Sequence, residues 1–135
     1  LNTTLAAAAG GLAALIPSWR QERRADVGHV INGVIGGLVA ITASCNIVEP
    51  WAAVVIGGTA GVISVAGTYW LAARRIDDVV GAIPVHGMCG IWGTLAVALF
   101  GNATLFHNHA SRFTQFGVQF IGVGVCGIWS FGMAW

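Results

Sequence analysis

Residues 76 to 100 read IDDVVGAIPVHGMCGIWGTLAVALF, and the rest of the chain is organised around this stretch. It opens on two aspartates, Asp77 and Asp78, and then runs without charge to Phe100. One titratable imidazole, His86, sits inside the apolar run. A histidine enclosed by lipid or by packed helices is costly unless it has a partner or a task. Gly81, Gly87, Gly90 and Gly93 keep the predicted helix thin, so that another helix or a narrow pore can come close.

Composition sets the class. Only 8% of the residues are charged, 56% are hydrophobic, and the mean hydropathy is +0.79. A water-soluble domain carries roughly a quarter charged residues, so this chain lacks the charge to cover a surface facing water, and a membrane protein is expected. The net charge of +1 offers nothing to a nucleic acid. Cys45, Cys89 and Cys126 have no CxxC spacing and lie in apolar runs, so each is expected to be a small buried packing residue. No basic start precedes an apolar core, so no cleavable signal peptide is expected. The chain opens mid-pattern at Leu1 and stops inside an apolar run at Trp135, as a truncated sequence would.

Apolar runs long enough to span a bilayer are predicted at 1–19, 29–45, 50–73, 78–100 and 111–135, which makes the expected fold class an all-α polytopic membrane helix bundle of about five transmembrane helices. Gly33-x-x-Gly36, Gly57-Gly58 with Gly61, and Gly122, Gly124 and Gly127 predict close backbone packing. Five of the six basic residues, Arg20, Arg23, Arg24, Arg74 and Arg75, fall in alternate loops, and only Arg112 lies elsewhere. The positive-inside rule then puts Arg20–Asp26 and Arg74–Asp78 on the cytoplasmic side of a multi-pass protein of the cell membrane. Trp19, Trp51 and Trp70 fall near span ends, where indoles favour the headgroup region, while Trp92 and Trp129 lie deeper and are expected to pack.

Few side chains are placed for chemistry. Read from the residues alone, His86 is either a buried histidine bonded to a neighbouring helix or a pore group. Asp77 and Asp78 suit helix capping, since aspartate accepts bonds from free N–H groups at the positive end of a helix. Thr42 is expected to bond back to its own helix, Asn32 to join helices, and His29 to face the cytoplasmic interface. His107 and His109 could hold a metal only if other ligands converged, and a solvated loop is the expectation. There is no nucleophile elbow, phosphate loop or zinc-enzyme motif, so neither catalysis nor a cofactor is expected.

The stretch 76–100 resembles the signature of the ammonium transporter family (the Amt/Mep/Rh superfamily) at Asp77-Asp78, Gly81-Ala82 and Val85-His86-Gly87. The likeness extends to Asn2-Thr3 through Gly10-Gly11 with Ser18-Trp19, to Asn32-Gly33 through Gly37-Leu38-Val39-Ala40-Ile41-Thr42-Ala43 and Cys45, and to Pro50-Trp51-Ala52-Ala53. It covers most of Leu1 to Phe100 in order. The resemblance implies the C-terminal part of an ammonium transporter, the family's helices seven to eleven, with two inverted repeats meeting at a substrate path. It implies that His86 is one member of a pore histidine pair whose other member lies in the remaining N-terminal half of the protein. It further implies ammonium or ammonia as substrate, a homotrimer, and cytoplasmic loops that meet a PII-type regulator. Some relatives join this membrane domain to a cytoplasmic signalling domain, so the alternative expectation is an ammonium sensor. A third is a truncated remnant that only packs against other membrane proteins.

The charge pattern makes a direct prediction. In the intact protein, Arg24→Cys and Arg75→Cys should react with an impermeant thiol reagent applied from the inside alone. Labelling of both positions from the outside would overturn the orientation.

Overall fold

The computed structural model describes residues 1–106 and 111–134. They form α1 (Asn2–Glu22), α2 (Val27–Ile41), α3 (Pro50–Ala73), α4 (Cys89–Phe100) and α5 (Arg112–Ala134). A π-helical segment, Ile83–Met88, runs straight into α4, and a short 3-10 turn, Ala103–Leu105, precedes α5. No strand occurs among the described residues.

α1, α2 and α3 make the core, and glycine lets their backbones touch. A methyl group added at Gly37 or Gly57 would run into the carbonyl of Ala6, and one at Gly61 into the carbonyl of Gly10. Gly10 and Gly33 face each other in the same way, with Ala14 Cβ only 2.5 Å from where a Gly33 side chain would begin. Ala6, Ala14, Ala40, Ala53 and Ala60 fill what space remains and are fully buried. Small residues at these positions replace the hydrophobic drive that is missing between helices in lipid with van der Waals contact over long backbone stretches. α4 joins by the same rule, its Gly93 meeting the Ala40 carbonyl of α2. The Cys89 thiol donates to the Ala60 carbonyl at 3.3 Å, and Trp92 Nε1 donates to the Ile56 carbonyl at 3.1 Å.

The two ends of the bundle are tied differently. At one end the Asn2 amide donates to the carbonyls of Cys45 (2.9 Å) and Val48 (2.8 Å), and the Asn102 N–H donates to Ile47 at 2.8 Å. Arg112 caps the C-terminus of α4 there, donating to the carbonyls of Ala98 (3.2 Å) and Leu99 (2.8 Å). At the other end Tyr69 of α3 donates to Glu22 of α1 at 3.0 Å, and His29 of α2 approaches the same carboxylate oxygen at 3.4 Å. Since α1 and α3 both finish at that end, Arg20, Arg23, Arg24, Arg74 and Arg75 gather on it, as the alternation of charge requires.

The all-α bundle of five helices is as expected, and three helical stretches among the described residues are long and apolar enough to cross a membrane by length and composition: 50–73, 83–100 and 112–134. Some expected boundaries and contacts differ. α2 has only 15 helical residues, because the chain turns after Ile41 and Thr42 bonds back to the Leu38 carbonyl at 2.7 Å, so the run to Cys45 is not continuous helix. α1 reaches 21 residues, but its alanines, glycines and threonines leave it less apolar than the other three. The fourth span begins after Gly81, which holds φ at +71°, and not at Asp78. Gly122, Gly124 and Gly127 meet nothing within 4 Å among the described residues, because α5 packs chiefly along α4 and buries none of its own residues. Trp129 stands exposed for the same reason, while Trp92 packs edge-on against Phe100 as expected. Of the cysteines, Cys89 is buried, Cys45 half-buried and Cys126 exposed on α5.

The glycine contacts differ enough to be tested pairwise. Gly61→Ala drives a methyl into the Gly10 backbone, which cannot yield as a flexible side chain would, and should destabilise the intact protein by about 1–3 kcal/mol. Gly58→Ala meets only Ala13 Cβ at 3.9 Å and should be neutral or stabilising by up to about 1 kcal/mol. Thermal unfolding in detergent measures both, and equal effects would remove the special status of the Gly61 contact.

Candidate functional site

Asp78 starts the functional segment. Its carboxylate accepts from the backbone N–H of Ala82 at 2.9 Å and of Ile83 at 2.8 Å, so it satisfies two donors that the helix start leaves free. Asp77 is exposed and its side chain has no hydrogen-bond partner among the described residues, so the expected pair of caps reduces in geometry to Asp78.

The π-helical segment after it was not legible from apolar periodicity. Its hydrogen bonding lengthens to five residues at its end, where the Cys89 N–H reaches the Pro84 carbonyl. Such turns are rare and concentrate at functional sites. Pro84 is the local signal, because it brings no N–H to an α-helical ladder. Gly67 on α3 is the tertiary one. A methyl there would lie 2.7 Å from Met88 Sδ and 2.9 Å from Pro84 Cβ, so the glycine forms the notch in which the widened turn sits. Pro84, Val85 and Cys89 are thereby buried, and His86 is left on the opposite side.

His86 opens onto a groove of about 580 Å3 between the π segment and α4 on one side and α5 on the other. Gly87, Gly90, Ile91 and Thr94 continue its face along α4, and Gln119, Gly122, Val123, Cys126, Gly127 and Ser130 line it from α5. The imidazole is exposed and hydrogen-bonds to nothing among the described residues. Thr94, farther along the same face, donates its hydroxyl proton to the Gly90 carbonyl at 2.9 Å. The groove thus presents one unspent polar ring, which can donate at one nitrogen and accept at the other, on a wall of glycine and aliphatic surface with Gln119, Cys126 and Ser130 across it on α5. Cys126, expected to be buried packing, instead faces this groove.

The remaining candidates fall elsewhere. His29 does not project from the end of the bundle. Its side chain is turned in against Glu22 and Tyr69, with ring centroids 5.2 Å apart in the latter contact. Asp26, a cap that the sequence reading overlooked, accepts the His29 backbone N–H at 3.0 Å. That bond holds the Asp26 carboxyl below the usual carboxylate range, so the cap is in force at neutral pH and is lost as pH falls through the lowered value. An aspartate directly before the apolar run of α2 was the signal for it. Asn32 packs its amide beneath Gly81, 2.6 Å from where a side chain there would start, and so links α2 to the approach to the π segment. His107 and His109 lie outside the described residues, and no cluster of three metal-ligating side chains occurs among the described ones.

Comparison with known proteins places this geometry. The family model described as Ammonium Transporter Family matches residues 1–135. The chain is 45% identical to the ammonium transporter Amt2 of Archaeoglobus fulgidus over 141 aligned residues, covering 97% of this chain and 30% of that protein. Among solved structures it superposes on a Sensor Amt Protein with a TM-score of 0.90 and 42% identity, covering 98% of this chain and 33% of that one. It superposes on Mep2 of Saccharomyces cerevisiae with a TM-score of 0.85 and 28% identity, covering 98% of this chain and 32% of that one. The chain therefore spans about a third of the length of the relatives it matches. A full-length match to the family model, together with a relative this similar, means that the chain belongs to the ammonium transporter family.

Proposed function

We propose that this chain forms the C-terminal part of an ammonium conduit and that His86 lines the substrate path. The observation that carries the reading is the exposed, unpartnered imidazole on the small-residue groove between α4 and α5. An ammonium ion entering a narrow apolar passage gives up its hydration, and a bare charge there is strongly disfavoured. Loss of the proton removes most of that cost, because neutral ammonia needs far less solvation. An imidazole suits such a path, since it offers a donor and an acceptor without a fixed charge. A lysine would repel the cation and a carboxylate would trap it.

The same reading assigns the unmet face of the groove to the remaining N-terminal part of the protein, which would bring the second histidine of the pair. It takes the whole as a homotrimer with one pore per subunit. The end bearing Arg20, Arg23, Arg24, Arg74 and Arg75 then faces the cytoplasm by the positive-inside rule. There the loops 20–26 and 74–78 are accessible to a PII-type regulator.

A second reading has its own support. The Sensor Amt Protein shares 42% of the aligned residues at a TM-score of 0.90. In a sensor the same groove would bind ammonium and shift a helix without conducting.

His86→Ala in the intact protein, reconstituted in vesicles, separates the cases. A conduit should lose ammonium-selective flux by at least about tenfold, the factor given by roughly 1.4 kcal/mol of added barrier. Unchanged flux and selectivity in the variant would sink the pore role. Ammonium binding by the unsubstituted protein, lost on His86→Ala, with no flux in either, would establish the sensor.

A further inference from the structure

α5 has little in its packing to fix its height against α4. It buries none of its own residues, and a methyl group added at Gly122, Gly124 or Gly127 would meet nothing within 4 Å among the described residues. No neighbouring side chain is therefore locked between its turns. The apolar contact that remains is non-directional and does not single out one height.

Among the described residues, the hydrogen bonds that leave α5 for another helix come from one side chain, Arg112 in its first turn. Its Nη1 donates to the Ala98 carbonyl at 3.2 Å and to the Leu99 carbonyl at 2.8 Å. Both belong to the group of carbonyls that the end of a helix leaves free. The Gly101 N–H takes the Val97 carbonyl at 2.9 Å, and Arg112 takes the next two, at the negative end of the α4 dipole. That end is itself fixed to the bundle, because the Asn102 N–H bonds to Ile47 at 2.8 Å and Phe106 is buried. Arg112 thus hangs α5 from a fixed point.

The two helices run in opposite directions from this tie, so it sets which residues stand opposite each other. Cys126 lies fourteen residues along α5 from Arg112, about 21 Å at the helical rise. His86 lies twelve residues before Ala98, about 18 Å by the same rise. Cys126 and His86 therefore stand at nearly the same depth in the groove that both line, with Gln119 nearer the tie and Ser130 beyond it. A slip of one turn, about 5.4 Å, would bring Val123 or Ser130 to the level of His86 instead.

We propose that Arg112 is a positioning residue for substrate selection: its two bonds fix the register of α5 on α4, and with it the groups that face His86. The register selects unsubstituted ammonium or ammonia over N-alkylated amines. Gln119 and Ser130 offer oxygen acceptors to N–H groups, and each methyl on nitrogen removes one N–H and adds bulk. The inference rests on the reading of this groove as the substrate path.

The test uses the full-length protein carrying this chain, in vesicles, and compares flux of ammonium with flux of methylammonium. Arg112→Ala should lose roughly tenfold of the preference for ammonium, about what one methyl group is worth in a fitted site. Arg112→Lys, which keeps a cation at the end of α4 and with it the fold, should lose part of it. Register is read separately. Gly87 has room for a side chain, the nearest atom being Ile83 Cγ2 at 4.0 Å. A short bifunctional thiol reagent should link Gly87→Cys to Cys126, mapped by peptide mass spectrometry, and should not link Thr94→Cys to Cys126. Arg112→Ala should slow the first link several-fold, and Arg112→Lys should slow it less. An unchanged link overturns the proposal, as does an unchanged flux ratio, read in Arg112→Lys alone should Arg112→Ala fail to fold. Loss of flux in His86→Ala with an unchanged ratio in the Arg112 variants overturns this inference alone, whereas a flux unaffected by His86→Ala sinks the path and this inference with it.

Discussion

Gly10, Gly33, Gly37, Gly57 and Gly61 bring three helix backbones into direct contact, and the placement of the other elements rests on that approach. Helices in lipid gain no hydrophobic energy by leaving one apolar solvent for another, so their association rests on close fit and on bonds between polar groups. Here the fit is made of carbonyl oxygens seated where side chains would otherwise stand. The consequence is stiffness. A backbone pressed on a backbone cannot repack as a leucine can, and the triple bundle of α1, α2 and α3 becomes a fixed wall.

The wall is what the π segment leans on. Pro84 and Met88 enter the notch at Gly67, and Cys89 bonds to the carbonyl of Ala60, about two turns away on the same face of α3. With Pro84, Val85 and Cys89 committed to the wall, the next direction around the helix belongs to His86. An imidazole aimed away from its own bundle adds nothing to the packing of that bundle, because nothing in the described chain hydrogen-bonds to it. Asp78 sets the start of this segment by taking the N–H groups of Ala82 and Ile83, and Gly81 turns the chain into it at positive φ above the Asn32 amide. Cap, glycine turn, proline and notch agree on a single placement for one side chain. Such agreement across levels is the mark of a specified structure.

Much of this was legible in the sequence, and the exceptions have physical causes. The membrane class followed from charge content, and its all-α character from apolar runs long enough to span a bilayer as helices. The grouping of arginines at one end followed from their alternation between loops and is realised in the bundle. α3 was legible from its first residue to its last, because Glu49-Pro50 opens it and Arg74-Arg75 closes it. α2 was read too long because the apolar run through Thr42 to Cys45 carries no breaker, and hydropathy cannot distinguish helix from a chain of turns. The π segment was missed because its cause is half tertiary: Pro84 is visible, but the notch at Gly67 is seventeen positions away in sequence. The glycines of α5 were read as packed by analogy of spacing with those of α2 and α3, yet spacing does not say whether a partner is present. His86 itself stood out as one imidazole in a long uncharged run, though only the structure shows which way it opens.

α5 sharpens that last point. It contacts α4 along one strip and otherwise exposes Phe113, Phe120, Ile121, Ile128, Trp129, Phe131 and Met133. These are bulky side chains of the kind that meet lipid tails without penalty. Of the groove-lining positions, Gln119, Gly122, Cys126, Gly127 and Ser130 are small or polar, and Val123 is aliphatic. A helix immersed in lipid on all sides has no reason to segregate its residues this way, because every face meets the same solvent. The side of α5 that faces His86 is richer in small and polar side chains than the side bearing Phe113, Phe120 and Phe131. The asymmetry of α5 thus reaches, from a second helix and without reference to any histidine, the same groove that the π segment selects.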